Sequence, residues 1–184
     1  LIIGLEFMDS SLKNPENAGL ETKLNMAGLL PRIPELSKKQ SIDFKSLNRQ
    51  ALNLFLQQLR AESAGEKQPK RVIIFSMHHG EGKSFLIEQL ASLTDKEFEF
   101  IELRAILHEA YNENQIKDGD IHVLVASAKR KWTASDKHTL KIYKKLAGVK
   151  PMLFLNGVST NVMEEVIGDI FRFMTKATGW LFSQ

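Results

Sequence analysis

The segment Met77-His78-His79-Gly80-Glu81-Gly82-Lys83-Ser84 gathers two glycines, a lysine and a hydroxyl where an apolar run gives way to a helical pattern. These residue types suit the holding of phosphate. Glycines let successive backbone N–H groups turn toward phosphate oxygens, and the start of a helix adds partial positive charge. Gly80, Glu81, Gly82, Lys83 and Ser84 are therefore the expected nucleotide-binding residues. Lys83 would act as a point charge on the β- and γ-phosphates, and the Ser84 hydroxyl as a Mg²⁺ ligand. Met77 stands where the phosphate-loop consensus opens with glycine. His78 and His79 are expected to face solvent, because adjacent side chains seldom converge on one ligand.

Such a loop must be held between a buried strand and a helix. Val72-Ile73-Ile74-Phe75 reads as that strand, and Ser84 to Leu93, with Leu86, Ile87 and Leu90 on one side, as that helix. Phe98 to Leu103 reads as the next strand, followed by a helical turn or more from Arg104 to Tyr111. Val123-Leu124-Val125-Ala126 and Met152-Leu153-Phe154-Leu155 are continuous apolar runs, as expected of parallel strands covered on both faces. Between them Thr133 to Ala147 puts Leu140, Tyr143 and Leu146 on one helical face, closed by Gly148 and followed by Pro151.

Upstream, Phe44, Leu47, Ala51, Leu54, Phe55 and Leu59 recur at helical spacing, with Ser41 as N-cap and a polar loop from Ala61 to Lys70. A last helix is expected from Val162, carrying Val166, Ile167, Ile170, Phe171, Met174 and Leu181 toward the core. The alternation predicts an α/β protein: a three-layer, P-loop NTPase-like fold with a mainly parallel sheet flanked by helices. Residues 1–40, interrupted by Pro15, Pro31 and Pro34, read as an arm or linker, and residues 41–184 as the P-loop domain.

The bulk composition narrows the function classes. A chain of 184 residues with 43% hydrophobic and 26% charged residues is long and apolar enough for a packed core. Its net charge is +3, and Lys129-Arg130-Lys131 and Lys144-Lys145 are short clusters of the kind solvated faces carry, so no nucleic-acid partner is expected. With no cysteine, disulfide frameworks and thiolate metal sites are excluded. No stretch reaches the roughly 20 consecutive apolar residues of a membrane span.

Val72 to Leu90 resembles the P-loop of bacterial tyrosine kinases, in which an apolar strand leads into Ser, two variable residues and Pro-Gly-Glu-Gly-Lys-Ser/Thr; here His79 takes the proline position. Phe7 to Pro15 and Leu24 to Pro31 are similar to the stretch after the second membrane helix in these kinases and in related polysaccharide chain-length regulators. Asp118 to Val125, with Trp132, Asp136 and Leu155-Asn156-Gly157-Val158, is similar to their C-terminal half. The resemblance implies a cytoplasmic ATP- or ADP-binding domain at the inner membrane. It would belong to a protein regulating exopolysaccharide or capsule chain length and export, with self-association or assembly and export proteins as partners. Leu1 to Leu5 would then be the stub of a membrane helix.

The chain departs from an active member of that family in its acidic groups. The second motif, a strand ending Asp-x-Asp-x-Arg, corresponds to Phe100-Ile101-Glu102-Leu103-Arg104, so Glu102 is left as the candidate catalytic carboxylate and, with Ser84, the candidate Mg²⁺ ligand. The third motif, an Asp-bearing strand, has no room between Arg104 and Ile121. Asp118 and Asp120 precede a strand, at the wrong end for ligands that bind beyond carboxyl ends. The C-terminal tyrosine cluster is missing, with Tyr111 and Tyr143 the only tyrosines, and Asp43, Lys45 and Arg49 form an unclean version of the ring-packing helix motif. Asn156 corresponds to an adenine-reading position, although the pair Asn156-Gly157 alone favours a simple turn.

Three functions compete on these residues. The domain holds nucleotide with weak or no phosphoryl transfer, or it is an autokinase or ATPase using Glu102, or it is a scaffold with a relic loop.

Overall fold

A computed structural model describes residues 12–13, 15–32, 44–63, 69–104 and 116–159. Its elements run α1 (Pro15–Thr22), β1 (Met26–Pro31), α2 (Phe44–Glu62), β2 (Lys70–Phe75), α3 (Lys83–Leu93), β3 (Phe98–Glu102), β4 (Ile121–Ser127), α4 (Ala134–Ala147) and β5 (Met152–Val158). The expected C-terminal helix from Val162, the turn from Arg104 to Tyr111 beyond its first residue, and the Ser41 cap lie outside the described residues. No helix among the described residues is long and apolar enough to cross a membrane.

The five strands form one sheet in the order β1-β5-β4-β2-β3, and every pairing is parallel. The interior strands carry the long apolar runs because both of their faces are covered: Val72, Ile73, Ile74 and Phe75, Val123 to Ala126, and Leu153 to Leu155 are completely buried. Chain direction across the sheet places the helices. The units β1-α2-β2 and β2-α3-β3 progress one way and β4-α4-β5 the other. Right-handed crossovers therefore put α4 on the face opposite α2 and α3, giving helices on both sides of the sheet.

Helix α2 follows its sequence pattern, burying Ala51, Leu52, Phe55, Leu56 and Leu59 and leaving Asn53, Gln57 and Gln58 exposed. Each fully buried Leu or Phe there contributes about 1.5–3 kcal/mol of transfer free energy. Arg60 in its last turn donates two hydrogen bonds of 2.8 Å to Glu97, tying α2 to the start of β3. Helix α4 begins as a capping box: the Thr133 hydroxyl accepts from Asp136 N–H while Asp136 accepts from Thr133 N–H, and Gly148 closes the helix as expected. Tyr143 is fully buried, its ring 4.1 Å from that of Phe75.

The reading of residues 1–40 as an arm is corrected for its central part. Pro15–Thr22 is helical, and Met26–Pro31 is an edge strand paired with β5 from Met26↔Leu153 to Pro31↔Val158. Leu12, Ala18, Leu24, Leu29 and Leu30 are core residues. The proline at the end of β1 is tolerated because an edge strand needs hydrogen bonds on one side only. Gly28 permits the close approach. A Cβ there would come within 2.8 Å of the Phe154 ring and 3.0 Å of Phe55 Cβ, two side chains that pack with centroids 4.8 Å apart.

Candidate functional site

Strand order reverses between β2 and β4, since the chain leaves β2 toward one edge and β4 toward the other. In open parallel sheets the crevice at such a reversal, beyond the carboxyl ends of the strands, is where ligands sit. The glycine-rich loop from Met77 to Gly82 lies there, between β2 and α3. Gly80 and Gly82 take left-handed backbone angles, φ +77° and +96°, which only glycine adopts without strain. Met77 does not, because Lys23 and Lys96 are the only described non-glycine residues with positive φ. Losing the leading glycine therefore does not strain the turn.

Gly82 is also the N-cap of α3, with no side chain bonded over the helix start. The free N–H groups of that first turn make it a site for negative charge. Lys83 is 8% exposed, and its Nζ donates to Ser76 Oγ at 3.0 Å. Ser76 Oγ in turn donates to the His78 carbonyl at 2.6 Å, so the hydroxyl positions the lysine and the loop together. Glu102, at the end of β3, accepts from Ser84 Oγ at 3.1 and 3.2 Å and lies 3.8 Å from Lys83 Nζ. Three predicted residues, Lys83, Ser84 and Glu102, are thus brought together although Glu102 comes from a different strand.

Glu81 has a different position from the one expected of a loop residue facing a ligand. It is 3% exposed and points into the protein, where its carboxylate accepts from His78 N–H at 3.1 Å, Arg130 Nε at 3.1 Å and Ser127 N–H at 3.5 Å. Its side chain fastens the loop to the end of β4. Asn156 completes the fastening: Asn156 Nδ2 donates to the Glu81 carbonyl at 3.1 Å, and a Cβ on Gly82 would clash with that nitrogen. Gly82 is needed both for its angle and for the space Asn156 fills.

Arg130 also reaches Asp136 at 3.1 Å, and His78 Nε2 lies 2.8 Å from the other carboxylate oxygen of Asp136. Burial of Asp136 works against its charge, but hydrogen bonds from Thr133, His78 and Arg130 outweigh it and hold the carboxyl at about 2. His78, about half exposed, is therefore engaged with Asp136 where solvent exposure alone was expected; His79 is exposed. The pattern Thr133-x-x-Asp136 could have disclosed the cap in advance, whereas nothing in the spacing of Glu81, Arg130 and Asp136 announces their meeting. Nor does sequence spacing announce that Ser76 Oγ accepts from Lys83 and donates to the His78 carbonyl.

Beside the loop a cavity of about 660 Å³ is lined by Pro31, Arg32, Lys45, Asn48, Gly80, Phe85, Ser127, Lys129, Asn156 and Gly157. Its volume falls in the range of small-molecule sites, about 300–1,000 Å³. For a divalent cation the available donors are the Ser84 hydroxyl and the Glu102 carboxylate. No cluster of three or more His, Asp or Glu suited to a metal exists among the described residues. A cation here would need phosphate or water oxygens to complete its shell, as Mg²⁺ commonly does. Asp118 and Asp120 lie at the other end of the sheet, before β4, where Asp120 pairs with Arg71 at 3.2 Å.

No known protein family matches the chain, and no characterised protein or solved structure matches it either.

Proposed function

We propose that the chain is a P-loop nucleotide-binding domain that takes ATP or ADP with Mg²⁺ and holds it with weak or no phosphoryl transfer. The observation that carries this reading is the convergence of Lys83, Ser84 and Glu102 on a double-glycine turn at the N-terminus of α3. A buried ammonium and uncapped helix N–H groups are the two devices that hold phosphate. Among the described residues Glu102 is the one carboxylate that meets Ser84 and Lys83, which supports holding over transfer, since metal positioning and charge stabilisation make up most of phosphoryl-transfer catalysis.

The resemblance to bacterial tyrosine kinases and polysaccharide chain-length regulators extends the proposal. The domain would work at the cytoplasmic face of the inner membrane, in a larger protein that governs exopolysaccharide chain length through self-association or contact with export proteins. Calorimetry with Mg-ADP and Mg-ATP tests the core of it. Saturable binding that weakens at least ~30-fold in Lys83→Ala is expected from loss of a charged phosphate contact. Absence of saturable binding to the unmodified chain would sink the proposal.

The contact of Glu102 with Ser84 favours a second reading, an autokinase or ATPase that uses Glu102 as its carboxylate. Radiolabelled phosphate on the protein that disappears in Glu102→Gln would support it. A chain that stays free of label under all conditions would remove it.

A further inference from the structure

We infer that the cavity beside the loop binds a second anionic group of the same ligand, so that the preferred nucleotide carries a phosphate on its ribose as well as on its 5′ chain. This rests on the nucleotide reading above and specifies its ligand class. The starting point is how charge is distributed over the carboxyl end of the sheet. Within the loop region the cations are already answered: Lys83 faces Glu102, and Arg130 lies between Glu81 and Asp136, which also takes His78.

The cavity has the opposite character. Arg32 lines it from the end of β1 and Lys129 from the segment after β4, with Lys45, which has an interaction of its own, from the first turn of α2, and none of the described residues lining it is acidic. Among the described residues, no ion pair or hydrogen bond holds the Arg32 guanidinium or the Lys129 ammonium, whose residues are bonded through their backbone N–H groups alone. Like charges brought together by Arg32 and Lys129 from two separate elements repel one another, and a bound anion relieves that repulsion.

The remaining lining specifies what accompanies the anion. Phe85, in the first turn of α3, is 39% exposed and offers an aromatic surface, while Asn48 and Asn156 bring amide groups. Gly80 lines both the cavity and the loop, so a single ligand can pass from one to the other. An apolar wall, amides and unanswered cations next to a phosphate loop match a nucleoside with its own phosphate. A plain nucleoside diphosphate would leave Arg32 and Lys129 without a counter-charge.

Competition calorimetry on the full 184-residue chain tests this with Mg-ADP and its 2′- and 3′-phosphorylated counterparts as probes. At least one counterpart is expected to bind roughly 10-fold tighter than Mg-ADP, about what one added charge-assisted contact supplies. That preference should collapse toward unity in Arg32→Gln/Lys129→Gln and shrink in Lys129→Gln alone. Equal affinities for all three nucleotides, or a preference that survives the double substitution, overturns the inference while the nucleotide reading stands. An equal gain from inorganic phosphate added beside Mg-ADP assigns the cations to a free anion and overturns the one-ligand form. Failure of all three nucleotides to bind overturns the nucleotide reading and this inference with it.

Discussion

At the amino end of the sheet Arg71 pairs with Asp120 and His122 with Tyr143, whereas at the carboxyl end Lys83, Glu81, Arg130 and Asp136 surround a glycine turn that adjoins a cavity through Gly80. Both regions bury ionisable groups. At the amino end the solution is to remove or pair charge in place. Burial, with Arg71 nearby, pulls the His122 imidazole down to about 4, so it is neutral at pH 7. Burial, with Asp120 nearby, pushes the Tyr143 phenol up, and the two rings share a hydrogen bond of 2.6 Å. At the carboxyl end the charges are kept, and through Glu81, Arg130 and Asp136 they fasten the glycine turn to neighbouring elements. Shifted ionisation alone therefore does not distinguish a structural cluster from a site. A left-handed glycine turn, an uncapped helix start and an adjoining cavity are what make the carboxyl end the candidate site.

The largest effect belongs to the amino end. Tyr143→Ala removes a fully buried ring from Phe75 and leaves His122 without its partner, and should cost about 3–5 kcal/mol in denaturant unfolding. A loss under about 1 kcal/mol would show that this cluster is not structural and would break the contrast.

The pH dependence follows from the same cluster. His122 takes a proton readily in the unfolded chain and reluctantly in the fold, so its contribution is fully present above the unfolded value of 6.5 and is lost as pH falls toward 4. About 3 kcal/mol should disappear over that window, and His122→Gln should flatten the slope. Asp136, held at about 2, acts in a lower window: its contribution is complete above about 4 and fades as pH drops through 2. A slope between pH 6.5 and 4 that His122→Gln leaves intact would assign the titration to another group.

At the carboxyl end the effects are smaller in stability and larger in ligand affinity. Gly82→Ala forces a side chain into a left-handed residue and onto Asn156 Nδ2, and should cost about 1–3 kcal/mol while abolishing tight Mg-ADP binding in calorimetry. Binding that survives it would mean that the turn is not what holds phosphate. Asn156→Ala should be the mildest, about 1 kcal/mol, by withdrawing the donor from the Glu81 carbonyl. A much larger loss of affinity than of stability in this variant would sharpen the contrast, by showing that Asn156 touches ligand as well as loop.

What the chain declares about itself is mostly periodic. Long apolar runs announced β2, β4 and β5, helical stripes announced α2, α3 and α4, and the burial of Tyr143 followed from its place on such a stripe. The glycine turn was legible because Gly80, Gly82, Lys83 and Ser84 are contiguous and stand between a strand and a helix. Strand β1 was not, since Ala27, Gly28 and Pro31 have little strand propensity and the segment becomes a strand only by pairing with β5. The bonds of Glu81 with Arg130, of Asp136 with His78, and of Asn156 with the loop were also hidden. They join residues far apart in sequence, and sheet order and crossover hand decide whether such residues meet. Local pattern determined the elements and the left-handed glycine turn, because each depends on neighbours along the chain. Only tertiary structure decided that Glu81 turns inward and that Arg32, Lys45 and Lys129 share one cavity, because those outcomes depend on which strand ends lie side by side.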